Sequence, residues 1–187
     1  MTNRLVEINK PEDIFPEYRN TPIGLLLEYH NLGRELEPYT QAKLLIGMCM
    51  DNRKHLRIPD NFAFIIRAGG ANLRYSEFKV SYAIAVGDIH HIVIIGHNNC
   101  GMVNLVSRRQ LFIDGLVEKA GWDRRQAEEH FMHYEPMHEI GNEIDFSISE
   151  AKRLRLRYPK ITVAPLLYKV EDNRLYLIRE KYEPVKG

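Results

Sequence analysis

Two cysteines and one histidine are the residues of this chain best suited to act together. Cys49 opens the run Cys49-Met50-Asp51-Asn52-Arg53, and a second run reads His97-Asn98-Asn99-Cys100-Gly101. Two thiolates and an imidazole form a zinc ligand set that leaves a fourth tetrahedral position for water or a carboxylate. Thiolates are soft donors and select zinc over magnesium or calcium. His97 and Cys100 are three residues apart and can grip one ion from a single turn, whereas Cys49 lies 48 residues before His97 and must be delivered by the fold. Taken singly, a cysteine after a strand is a small buried hydrophobe, and His-x-x-Cys is a frequent chance spacing. Both cysteines of the chain are used here, both follow apolar runs, and Asp51 and Arg53 accompany the first. Asp51 and Arg53 can face one side and pair in a geometrically defined way. A carboxylate beside an open metal position can orient an attacking water.

The runs that must position these groups read as buried strands. Leu44-Leu45-Ile46-Gly47-Met48 leads directly into Cys49, and His91-Ile92-Val93-Ile94-Ile95 leads toward His97. Continuous apolar and β-branched runs of this length suit strands covered on both faces. Residues 62–66 form another strand, a helix spans 76–86 and closes at Gly87, and 161–168 is a fourth strand in which Pro165 marks part of the length as an edge. After a turn at 171–174, residues 175–178 return as an antiparallel edge strand. Residues 102–158 are charged and mainly helical, with breaks at Gly115 and Gly121. Strand, helix and strand in this rhythm predict an α/β fold, a central and mainly parallel sheet flanked by helices. In such sheets ligands gather beyond the carboxyl ends of the strands, where both polar runs fall.

The 187 residues, 44% hydrophobic and 27% charged, are read as a single α/β zinc-binding domain spanning 1–187. Lysine plus arginine number 26 against 25 acids, a balance that argues against nucleic acid as a partner. No apolar run reaches the roughly 18 residues of a membrane span, and the N-terminus lacks a secretion signal, so the expected location is cytoplasmic. The first 20 residues read as irregular. Thr21 caps a short apolar helix that starts at Pro22 and stops at Gly33. Residues 1–36 are thus expected to form an arm that packs on a partner subunit.

The two polar runs together resemble the β-class carbonic anhydrases, whose pattern is Cys-x-Asp-x-Arg, a glycine-rich loop, then His-x-x-Cys-Gly. Here the loop is Arg67-Ala68-Gly69-Gly70-Ala71-Asn72, and the resemblance covers roughly residues 43–104. Three positions depart from it. Asn52 replaces the usual serine, Arg67 is followed by Ala68 rather than asparagine, and Gln41 lies one residue out of register with a glutamine found in plant-like members. The resemblance implies zinc on Cys49, His97 and Cys100, a zinc-bound hydroxide that attacks CO2 to give bicarbonate, and catalytic roles for Asp51 and Arg53. It also implies that Asp51 becomes a fourth ligand in a closed state, that Gly69, Gly70, Ala71 and Gly101 line the substrate pocket, and that the chain is a homodimer or larger homo-oligomer. The departures keep open a second substrate class, carbonyl sulfide or carbon disulfide. A non-catalytic zinc protein that binds a partner is the third reading, though a structural site needs no Asp–Arg pair.

His55, His90 and His91 are candidate proton carriers because they flank the motifs. His130 and His133 share a helical face, but Pro136 is expected to interrupt that helix before His138, and no cysteine or aspartate joins them. The glycine loop lacks the spacing of a nucleotide site. The run Lys152-Arg153-Leu154-Arg155-Leu156-Arg157 reads as the cationic end of a helix.

Overall fold

Leucine- and isoleucine-rich runs shielded on both faces build the centre of the fold. The computed structural model describes residues 4–180. In chain order the strands are β1 (Leu5–Val6), β2 (Leu44–Met48), β3 (Ala63–Arg67), β4 (His91–His97), β5 (Thr162–Lys169) and β6 (Arg174–Ile178), and the helices are α1 (Pro22–Asn31), α2 (Glu77–Ala85), α3 (Arg109–Ala120), α4 (Arg124–His138) and α5 (Glu143–Arg157). They form one six-stranded sheet in the order β1-β6-β5-β4-β2-β3. Strands β3, β2, β4 and β5 are parallel, β6 runs antiparallel to β5, and β1 runs antiparallel to β6.

Alternation along the strands divides the core in two. Leu44, Ile46 and Met48 of β2 and Val93 and Ile95 of β4 pack with Ile23, Leu26 and Leu27 of α1. The intervening Leu45, Ile92 and Ile94 pack with Val80 of α2 and Leu154 of α5. Successive side chains on a strand point to opposite faces, so an unbroken apolar run feeds both cores. Gly96 lets α5 approach β4: a Cβ there would lie 2.5 Å from Ser147 Oγ and 3.0 Å from the Glu143 carbonyl oxygen.

The Thr21 hydroxyl caps α1 by accepting from the Ile23 amide at 3.2 Å. The side chain of Asn31 exchanges two hydrogen bonds with the Leu175 backbone, tying α1 to β6. The apolar face of this helix is therefore filled by its own chain. Of the 20 residues read as irregular, Leu5 and Val6 pair with β6, which places the two-residue β1 outside β6 at the sheet edge. Pro165 stands where β6 stops pairing, because the β5–β6 register begins at Leu166. Arg155 donates to the Val163 carbonyl beside it and pairs with Glu180.

Two expectations need correction. Gly115 does not break the chain but lies inside α3, where a glycine costs about 1 kcal/mol and is tolerated. Helix α4 continues through Pro136 to His138. Proline removes one hydrogen bond and crowds one carbonyl, and in the last turn this cost is confined to the helix end, where the Glu139 amide still donates to Glu135. The basic run ends α5 as expected. Arg153 is held by Glu150 and Glu77, and Arg155 and Arg157 lie in the last turn.

Candidate metal centre

Parallel pairing of β2 with β4 aligns Met48 with Ile95, so Cys49 and His97 leave the sheet side by side at its carboxyl edge. Cys100 then returns from the loop after β4. The ligand atoms of Cys49, His97 and Cys100 all lie within 4.8 Å of one another, and all three residues are buried. Among the described residues this is the sole grouping of three or more histidine, cysteine or acidic side chains close enough to share an ion.

The donor set fits zinc. The two sulfurs are 3.9 Å apart, and two Zn–S bonds of about 2.3 Å at a tetrahedral angle span roughly 3.8 Å. The Nδ1–H of His97 donates to the Asn98 carbonyl at 2.9 Å, which leaves the Nε2 lone pair free. That Nε2 is buried and has no hydrogen-bond partner. Fixing the outer nitrogen on a carbonyl is how proteins orient a metal-binding histidine. Where one thiol bonds to the other, Cys49 is held well below the usual cysteine range by the hydrogen bond from Cys100, while the same bond pushes Cys100 up.

The loops are braced from three sides. Asn98 accepts from the Val170 amide and donates to Glu171, and Glu143 of α5 accepts from the Cys100 amide at 3.1 Å. Arg67 at the end of β3 donates to the carbonyls of Cys49, Asp51 and Lys54, each at 3.3 Å. This bracing role was hidden in the sequence, where Arg67 reads as the first residue of the glycine loop.

Asp51 and Arg53 form the expected pair. Arg53 Nη2 donates to Oδ2 at 2.6 Å, and Nε and the backbone amide reach Oδ1 at 3.0 and 2.9 Å. Arg53 also donates to the Asn99 carbonyl at 3.1 Å, so it ties the two polar loops together. Hydrogen bonding to Arg53 holds the Asp51 carboxyl far below the usual carboxylate range. Oδ2 lies 3.9 Å from His97 Nε2, and the carboxylate stands outside the three-ligand cluster.

The glycine loop lies against this centre. Gly70 adopts φ +61°, and a Cβ there would sit 2.6 Å from Ile140 Cγ2. Gly69 admits Met102, whose sulfur would be 2.9 Å from a Cβ. Of the four expected pocket residues, Gly69 lines a cavity of about 260 Å³ together with Met50, Met102, Phe112, Phe131 and His138. Gly70 and Ala71 are buried behind it, and Gly101 has open space around its α-carbon. The walls from α3 and α4 carried no recognisable spacing in the sequence.

The candidate proton carriers are not together. His90 and His91 lie at the amino end of β4, about 20 Å of strand from His97 at roughly 3.3 Å per residue. His90 pairs there with Asp88. His55 is exposed on the loop after Arg53. His130 and His138 of α4, which the sequence did not offer as proton carriers, both line the cavity that Gly69, Met50 and Met102 share.

A carbonic anhydrase family model matches residues 47–175, which include both polar runs and the glycine loop. The chain belongs to the carbonic anhydrase family. No curated protein matches its sequence. Among solved structures, the β-carbonic anhydrase isoform I of Trichomonas vaginalis is 18% identical with a TM-score of 0.57, over 80% of this chain and 91% of that one. The carbonic anhydrase of Streptococcus mutans is 18% identical with a TM-score of 0.57, over 79% and 89%. A carbon disulfide hydrolase in its apo form is 19% identical with a TM-score of 0.54, over 80% and 88%. At these identities the likeness is one of fold, and the fold is that of the β-class carbonic anhydrases. Membership of the carbonic anhydrase family carries carbonate dehydratase chemistry and zinc as the cofactor.

Proposed function

We propose that this chain interconverts CO2 and bicarbonate at a zinc centre held by Cys49, His97 and Cys100, with Asp51 and Arg53 as its catalytic pair. The observation that carries this reading is the buried, unpartnered Nε2 of His97 facing two sulfurs 3.9 Å apart, beside a carboxylate already locked by an arginine. Zinc, when bound, supplies a Lewis acid that brings the ionisation of water toward neutral pH. The remaining work falls to the chain. Asp51, kept ionised by Arg53, is acceptor-only and can take a hydrogen bond from the reacting water, aiming its lone pair at the substrate carbon. Arg53 fixes the Asp51 rotamer with its guanidinium and its amide, and the Asn99 carbonyl fixes Arg53. A closed state with Asp51 on the metal would compete with those bonds. Stopped-flow CO2 hydration measured beside metal analysis tests the assignment. One zinc per chain and acceleration of hydration are expected, and a zinc-loaded protein without activity refutes it.

The methionine-lined apolar cavity favours a second substrate class. Thioether sulfurs adapt to irregular, polarisable ligands, and carbon disulfide and carbonyl sulfide are such molecules. Relative turnover of CO2 and the sulfur compounds separates the readings. The two cysteines form no disulfide, which suits a reducing, cytoplasmic setting, and among the described residues no helix is long and apolar enough to cross a membrane.

Assembly as a homodimer has its support at the free edge of the sheet. Phe64 and Ile65 on β3 are 40% and 46% exposed, and Phe78 and Tyr82 on α2 are 80% and 52% exposed. An unpaired strand edge with an apolar strip invites a second strand. Sedimentation is expected to give twice the chain mass, and Phe64→Glu with Phe78→Glu to return a monomer. A monomeric parent protein contradicts this assembly.

A further inference from the structure

Asn98 sits between two candidate ligands, His97 and Cys100, and the proposed reaction gives it no task. Its side chain is taken up by the turn between β5 and β6. Oδ1 accepts from the Val170 amide at 2.9 Å, and Nδ2 donates to the Glu171 carboxylate. The Asn98 amide adds a longer bond, 3.4 Å, to the Tyr168 carbonyl of β5. The carbonyl of the same residue accepts the Nδ1–H of His97 at 2.9 Å. The peptide that holds the imidazole is therefore itself held by a side chain. The turn is a fixed frame for that clamp. Asp172 accepts from the Arg174 amide and the Tyr176 hydroxyl. The buried Tyr168 donates its hydroxyl to Asn173 at 3.1 Å, and the Asn173 carbonyl accepts from His30 of α1 at 2.9 Å. Turns are ordinarily the mobile part of a fold, and this one is bonded to α1, β5 and β6.

We infer that Asn98 is a positioning residue of the metal centre. By clamping its peptide to the β5–β6 turn it keeps the Nδ1–H of His97 on a carbonyl and Nε2 turned toward the two sulfurs. The inference rests on the zinc reading above. An imidazole rotates about two side-chain bonds, and a carbonyl one residue away orients it only while that carbonyl stays still. Without the clamp the ring can exchange tautomers, and a neutral ring with its proton on Nε2 presents no lone pair there. The turn offers one donor, the Val170 amide, and one acceptor, the Glu171 carboxylate. An amide side chain matches both. The bond to Val170 carries more of the clamp, because Glu171 is exposed and its bond competes with water.

Asn98→Ala in the full chain tests this, because it keeps the carbonyl and removes both side-chain bonds. Ring-nitrogen NMR of the metal-free parent is expected to show His97 with its proton on Nδ1 alone, and that of Asn98→Ala a mixture of the two tautomers. In competition with a chelator, the zinc affinity of the alanine variant is expected to fall about ten- to a hundredfold, the range found when groups behind metal ligands are removed. Asn98→Asp combined with Glu171→Gln keeps the acceptor for Val170 and reverses the outer bond, and is expected to restore both tautomer and affinity. Asn98→Asp alone keeps the Val170 bond but sets a carboxylate against Glu171, and is expected to lie between. It is measured alongside so that a folding defect of the alanine variant does not decide the result. An asparagine that only supports the fold would lower the melting temperature of Asn98→Ala and leave tautomer and zinc affinity at parent level, which overturns the inference. A parent that binds no zinc overturns the zinc reading, and the tautomer of the metal-free protein still decides the role of Asn98. A zinc-binding parent matched by Asn98→Ala in both readouts overturns only that role.

Discussion

Cys49→Ser is expected to purify without stoichiometric zinc and to lose at least about a thousandfold in CO2 hydration, about 4 kcal/mol of transition-state stabilisation. The reason is geometric. Cys49 is the candidate ligand that follows β2, while His97 ends β4 and Cys100 follows it by three residues. Without its sulfur the remaining pair grips from one loop alone, and a serine hydroxyl is a poor, hard replacement for a soft thiolate. Cys49 is 3% exposed and packs with Cys100, Ile140 and Phe146, so the near-isosteric change leaves the fold in place. Metal analysis and circular dichroism on one sample separate the outcomes. A folded Cys49→Ser protein with full zinc content and full activity would show that the cluster is not the catalytic centre.

Asp51→Asn is expected to behave oppositely toward the metal. Zinc should stay at parent level, because the carboxylate lies outside the three-ligand cluster. Hydration should fall about a hundredfold to ten-thousandfold, the range for removing a positioned acid–base group. The amide keeps the shape of the carboxylate but not its charge, so it neither accepts the full set of bonds from Arg53 nor stays acceptor-only toward water. Melting should change little, because Arg53 is 44% exposed and solvent-exposed ion pairs add little to stability. In the parent, Arg53 depresses the Asp51 carboxyl. The stability this pair adds is therefore complete above the unfolded carboxylate value of about 3.9 and fades only as pH drops from there toward the lower folded value. Asp51 therefore stays ionised between pH 5 and 9, and loss of activity toward acid in that range is not expected to come from it. An Asp51→Asn enzyme with parental turnover removes the pair from the mechanism.

The candidate site was legible to the extent that its members cluster at strand ends. Cys49, Asp51, Arg53, His97 and Cys100 stood out because a few reactive side chains follow two apolar runs, and parallel strands send their carboxyl ends to one edge. The clamps made by Asn98 and Arg67 were not legible. An asparagine in a polar loop reads as solvated, and only the packing around it reveals its bonds to Val170 and Glu171. Arg67 braces three carbonyls that belong to residues 13 to 18 positions earlier, a relation with no local signature. His90 and His91 looked near the second motif in sequence, yet they occupy the far end of the strand that carries it. Pro136 read as a break because proline crowds the preceding turn, but at the end of α4 little helix remains to disturb.

By itself the sequence determined the alternation of strands and helices, the carboxyl-edge location of the reactive groups and the candidate ligand set, since periodicity and residue chemistry are local properties. Tertiary structure decided that β2 and β4 are neighbours, that His97 presents Nε2 with Nδ1 tied to a carbonyl, that α1 covers its own sheet, and that Asn98 is bonded to the β5–β6 turn. Those outcomes depend on contacts between segments tens of residues apart, and burial and hydrogen bonding across such distances are set only when the whole sheet closes.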